Sequence, residues 1–118
     1  MSDHLATHVH LELWGVDGAL LDDPLRLEQA LMAAAAAAKC TVLGSVKHHF
    51  EPHGASVVVL VAESHLSIHT WPEHEYAAAD ILTCGKTLPE EGVKSLIALL
   101  KPVRSEVQHY RRGLVQPR

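Results

Sequence analysis

The densest run of chemically capable side chains is Glu63-Ser64-His65-Leu66-Ser67-Ile68-His69-Thr70-Trp71-Pro72-Glu73, followed by Thr83-Cys84-Gly85. It offers a hydroxyl nucleophile, imidazoles, carboxylates and a thiol. Imidazole and thiol have reference pKa values of about 6.5 and about 8.5, so near neutrality one suits a base and the other a proton donor. A hydrolase-type Ser–His pair is disfavoured. Ser64 and His69 stand an odd number of positions apart, which in an unbroken strand places them on opposite faces. The chain also lacks a Gly-x-Ser-x-Gly elbow. Taken singly, Ser64 is an ordinary strand serine, Cys84 a small buried hydrophobe and Phe50 a core residue.

Ten histidines raise the question of a metal. His8-x-His10 points two imidazoles to one side of a strand, and His48-His49, His53 and His74 add more. A zinc or iron site needs three or four converging ligands. The spacing defines no such set, and no metal is expected. The face holding His8, His10 and Glu12 is assigned instead to an interface, a substrate pocket or solvent.

The elements that must position these groups fit one domain of 118 residues. A hydrophobic share of 47% excludes a disordered chain, and 4% aromatics leaves the core to Leu, Val, Ile and Ala. A net charge of −4 with dispersed Lys and Arg provides no basic stripe for a nucleic acid. Cys40 and Cys84 form no CxxC pair and read as free thiols of a reducing compartment. The start, MSDHLATHVH, lacks the regions of a signal peptide. The apolar run near Leu31 to Ala38 is too short to span a membrane. A soluble, cytoplasmic protein is expected.

Leu5 to Trp14 alternates strictly, with Val9, Leu11 and Leu13 on one face and His8, His10, Glu12 and Trp14 on the other. That pattern predicts a half-buried strand, followed by a turn through Gly15, Asp17 and Gly18. Asp22-Asp23-Pro24 predicts a helix start, and Leu25 to Ala38 the helix, its alanines allowing close packing on a sheet. Strands are predicted over Thr41–Phe50, Ser56–Ala62, Ser64–Thr70, Tyr76–Thr83 and Val103–Tyr110, with a second helix over Pro89–Leu100. Val57-Val58-Val59-Leu60-Val61 is apolar on both faces, so this strand should be covered on both sides. The order predicts an α+β two-layer sandwich: a mainly antiparallel sheet with two helices on one face.

ESHLSIHTWPE followed by TCG resembles the signature of the short, prokaryotic class of S-adenosylmethionine decarboxylase. The similarity runs in register from the first strand through Gly85, and more weakly to Arg112-Gly113. The resemblance implies self-cleavage between Glu63 and Ser64, giving a β chain of residues 1–63 and an α chain of residues 64–118. Ser64 would become a covalent pyruvoyl group, which forms a Schiff base with the substrate amine and accepts the electrons freed by decarboxylation. By the same resemblance His69 is the base of processing, Ser56 assists processing, and Cys84 is the proton donor in catalysis. Phe50 aligns with a residue that stacks on the substrate adenine, and Glu12 and Glu73 match acidic family positions. A homodimer of cleaved protomers is implied, with sheets facing each other and residues shared between sites.

Glu51 and His53 depart from the apolar or aromatic residues usual beside Phe50 in that family, and little chain follows Arg112-Gly113. Both departures bear on the substrate rather than on the processing chemistry. The alternative is therefore a pyruvoyl-dependent arginine or ornithine decarboxylase of the same fold group. A reading of another class is an uncleaved, histidine-rich metal-binding module.

Overall fold

A computed structural model describes residues 3–115. The first strand, β1 (His4–Trp14), follows the predicted alternation: Val9, Leu11 and Leu13 are completely buried while His10 is exposed. The expected turn after it contains one turn of helix, α1 (Gly18–Leu21). Asp17 explains the difference, since its carboxylate accepts from Ala19 N at 3.2 Å and caps the short helix. Gly15 is required by sterics, because at φ +74° a Cβ would sit 2.7 Å from Val103 Cβ.

The second helix, α2 (Pro24–Ala37), begins as the sequence predicts, with Asp23 accepting from Arg26 N at 3.2 Å and Pro24 in the first turn. Asp22 serves elsewhere. Its Oδ1 accepts from His49 Nε2 and from Gly54 N, each at 2.8 Å, tying the helix start to the next hairpin. Three strands follow as β2 (Thr41–His49), β3 (Ala55–Ala62) and β4 (Ser64–Trp71). After a 3-10 turn (Pro72–His74) come β5 (Tyr76–Thr83), α3 (Pro89–Leu100) and β6 (Arg104–Leu114). The six strands form one antiparallel sheet in the order β2-β3-β4-β5-β1-β6.

Helix α2 packs on β2, β3 and β4, and α3 on β5 and β1, so the core lies between one helical layer and one sheet face. The alanines of α2 do more than fit the sheet. Gly92 of α3 comes so close that a Cβ there would stand 3.2 Å from Ala34 O and 3.3 Å from Ala38 Cβ. They permit helix-on-helix contact as well.

The opposite face of the sheet corrects one expectation. Val57, Val59 and Val61 are buried, but Val58 and Leu60 are 38% and 53% exposed. Among the described residues nothing fully covers the second side of β3, because both long helices pack on the other face. Among the described residues no helix is long and apolar enough to cross a membrane.

Candidate active site

The candidate residues Ser56, His69 and Glu12 sit on that uncovered face, and strand register orders them. Across the sheet, Ser56 pairs with His69, His69 with Ala78, and Ala78 with Glu12. Ser56 Oγ and His69 Nδ1 are 2.7 Å apart. Because Ala78 has no bulk, a shallow depression of about 270 Å³ opens here, lined in part by His69, Glu12, Ser67 and Asp80.

Phe50 and Glu73 belong to the same end of the sheet. Phe50 N donates to Gly54 O at 2.7 Å, closing the β2–β3 hairpin, and its ring stands edge-on to His48 at 4.7 Å. Its face stays partly open to solvent. Glu73, in the 3-10 turn, pairs with His53 Nε2 at 3.2 Å. A backbone hydrogen bond first, and then His53, hold its carboxyl below the usual range. Glu12 accepts a hydrogen bond from Tyr76, whose phenol is pushed up to about 12 by burial and then by that carboxylate.

A second group gathers at the opposite end of β4. Ser64 begins that strand with φ +134°, a region side-chain-bearing residues rarely adopt, at a typical cost on the order of 1–3 kcal/mol. The backbone is thus strained at the predicted junction. Cys84, just past β5, lies beside it: its Sγ is 3.3 Å from Glu63 Oε1 and 3.7 Å from Glu63 O. The hydrogen bond to the Glu63 carboxylate, with burial second, raises the thiol pKa. This chemistry suits a donor that must hold its proton.

The chain therefore separates the predicted set into two groups, with Ser56, His69, Phe50, Glu73 and Glu12 toward one end and Glu63, Ser64 and Cys84 at the other. Ser64 and His69 occupy β4, and at about 3.3 Å per strand residue their Cα atoms stand roughly 16 Å apart. That exceeds the reach of an imidazole. The sequence had set them on opposite faces; distance along the strand separates them further.

Between the two groups lies a cluster that spacing along the chain did not reveal. Asp80 Oδ2 accepts from His8 Nε2 at 2.6 Å and from His65 Nε2 at 2.9 Å, while Oδ1 accepts from Ser67. One signal was available: Asp80 is a carboxylate within the apolar strand segment Ala77-Ala78-Ala79-Asp80-Ile81-Leu82, where Asp is disfavoured. The three potential ligand atoms lie within 4.8 Å of one another.

Comparison with known proteins gives this arrangement its context. The profile of the family described as S-adenosylmethionine decarboxylase matches residues 7–113. An S-adenosylmethionine decarboxylase proenzyme of Methanococcus maripaludis is 41% identical over 112 residues, covering 94% of this chain and 92% of that protein. An S-adenosylmethionine decarboxylase proenzyme 2 of Bacillus cereus is 44% identical over 108 residues, covering 91% and 88%. The crystal structure of the adenosylmethionine decarboxylase from Aquifex aeolicus superposes with a TM-score of 0.91 at 37% identity, over 99% of this chain and 98% of that one. With sequence and fold agreeing over nearly the whole length, the chain belongs to the S-adenosylmethionine decarboxylase family.

Proposed function

We propose that this chain is a proenzyme that cleaves itself between Glu63 and Ser64, then decarboxylates S-adenosyl-L-methionine with a pyruvoyl group made from Ser64. The products are carbon dioxide and S-adenosylmethioninamine, the aminopropyl donor for spermidine synthesis. The working unit is a two-fold dimer in which each site combines the Ser64 end of one copy with the His69 end of the other. The separation of roughly 16 Å along one strand carries this reading, since extended strand geometry keeps His69 from its own Ser64. The open sheet face, with Val58 and Leu60 exposed, is the surface a second copy covers.

Processing starts when Ser64 Oγ attacks the Glu63 carbonyl carbon. The C–N bond gives way to a C–O ester, and the hydroxyl proton passes to the freed amine. Strain at Ser64 offsets part of the uphill conversion, and the Cys84 thiol is placed to donate to the carbonyl oxygen. His69 of the second copy, steadied by Ser56, removes the Ser64 α-proton. The electrons of that C–H bond form Cα=Cβ while the Cβ–O bond breaks and releases Glu63 as a carboxylate. Water then replaces the α-nitrogen, which leaves as ammonia, and a ketone remains.

The junction fits the group it is to hold, because the strained serine and a protonated thiol meet there. When formed, the pyruvoyl ketone supplies the electron sink that replaces pyridoxal phosphate. Cys84 returns a proton to the substrate carbon once carbon dioxide has left. The open face of Phe50 is suited to stack on adenine, and the carboxylates of Glu73 and Glu12 favour a sulfonium cation. The names of the relatives favour this substrate over arginine or ornithine.

Intact-mass spectrometry with three variants tests the reading. Wild type is expected as fragments 1–63 and 64–118, the latter bearing pyruvoyl, whereas Ser64→Ala stays whole. His69→Ala stops at the ester, which hydroxylamine splits. Cys84→Ala is cut but loses about 100-fold or more in kcat, the usual scale for a general acid. An active wild-type protein with an unbroken chain and unmodified Ser64 refutes the proposal. Carbon dioxide release on arginine or ornithine alone refutes the substrate.

A further inference from the structure

The Asp80 cluster lies between the two groups and is absent from the chemistry above. Its protonation pattern follows from donor and acceptor rules. Arg112 Nη1 is 2.8 Å from His8 Nδ1, and a guanidinium only donates, so Nδ1 must accept. His8 then carries its hydrogen on Nε2 and donates it to Asp80 at 2.6 Å. Asp80, held by three donors, is a carboxylate. Burial works against its charge, but the hydrogen bonds from Ser67, His8 and His65 prevail and hold its pKa below the usual range.

This polarity argues against a metal despite the favourable spacing. A histidine that ligates through Nε2 normally donates its other N–H to a carboxylate or carbonyl, and here a cation occupies that position. The cluster is built instead as a hydrogen-bond anchor around the Asp80 carboxylate. Its side chains are largely sheltered, with His8 and Asp80 at 13% and 20% exposure and His65 at 34%, so its bonds are stronger than exposed ones.

What it anchors is the start of β4. His65 follows Ser64 directly, and Ser67 is two residues further on. Before cleavage this segment is held from both sides. Afterwards it is a free chain end, and free strand ends fray. We infer that Asp80 is a positioning residue that pins His65 and Ser67 so that the ketone made from Ser64 keeps its place beside Cys84 after the backbone is cut. Arg112 and His8 brace it through β6 and β1. This rests on the proposed cleavage, and it adds a role for the sheet beyond it.

Amide hydrogen exchange and kinetics on Asp80→Asn, His65→Ala and the double variant test the assignment. In the cleaved protein, Asp80→Asn should speed exchange of the 65–70 amides about tenfold or more. In an uncleaved Ser64→Ala background the same change should have little effect, because the strand remains tethered. Both single variants should still be cut, with KM within about twofold of wild type and kcat about tenfold lower. The double variant should be no worse than the poorer single, as expected for residues acting through one contact. His65→Gln, whose amide N–H can replace the Nε2 donor, should recover most of the loss. Equal exchange with and without Asp80 in the cleaved protein overturns the inference, as do losses that multiply in the double variant. If Asp80→Asn does not fold, normal kcat and exchange in His65→Ala overturn it alone. A wild type that is never cut removes the cleavage reading itself, which intact mass detects before any variant is made.

Discussion

At the scale of single residues, the contact between Cys84 and Glu63 bears most directly on the protonation of the thiol. A carboxylate 3.3 Å from the sulfur raises the cost of the thiolate, so the thiol keeps its proton to higher pH. Removing that charge should have the opposite effect. Glu63→Gln, in an uncleaved Ser64→Ala background, should make Cys84 alkylate faster at a given pH and shift its rate–pH profile downward, read by mass spectrometry after iodoacetamide. Tyr76 provides a second test. Its folded pKa of about 12 lies above the reference value of 10, so the neutral phenol is favoured by folding. The resulting stability is complete below pH 10 and disappears as pH rises through 12. Denaturant midpoints should therefore fall more steeply over that window in wild type than in Tyr76→Phe.

At the scale of elements, the contact between α2 and α3 depends on the missing side chain of Gly92. A Cβ there meets Ala34 O and Ile81 Cδ1 at 3.2 Å, the first being backbone that cannot yield without moving the helix. Helix propensity alone favours alanine over glycine by about 1 kcal/mol. Overpacking costs about 1–3 kcal/mol and opposes it. We expect overpacking to win: Gly92→Ala should lower Tm by several degrees without altering cleavage. β4 shows the other consequence of element geometry. As an extended strand with Ser64 at its start and His69 five residues on, it holds the proposed nucleophile and base in fixed separation, which a helix or loop would not.

At the scale of the whole molecule, the described chain is a slab of 53 × 28 × 22 Å with helices on one side and the face bearing Ser56, His69 and Glu12 open on the other. The proposed dimer requires the Ser64 end of one copy to meet the His69 end of the other. Mixed dimers test this directly. Ser64→Ala and His69→Ala should each fail to produce pyruvoyl protein when expressed alone. Expressed together, the dimers containing one of each place an intact Ser64 opposite an intact His69, and fragment 64–118 with its ketone should appear by intact mass. Its absence, with mixed dimers confirmed by differential tagging, would exclude the shared site. A charge placed on the open face of β3, as in Val58→Asp, should shift sedimentation toward monomer and abolish processing together.

Much of this was legible in the residues. Alternation in β1, the Asp-Pro start of α2, the glycine and proline punctuation and the two-layer order are local or periodic signals, and backbone sterics make them readable. The family was legible too, because eleven consecutive residues and a spaced Cys-Gly carry its resemblance. The short helix α1 was missed since one Asp cap outweighed two turn glycines. The apolar pattern of β3 called for cover on both sides and agreed with a dimer, but only the fold shows that the described residues leave Val58 and Leu60 open. Only the folded sheet could show that His8, His65, Ser67 and Asp80 share one anchor, as strand pairing joins residues up to 72 positions apart. Sequence thus determined which groups are present and which face each takes, because those depend on near neighbours. Distance between them is set by register and strand direction, and those exist only once the sheet has formed.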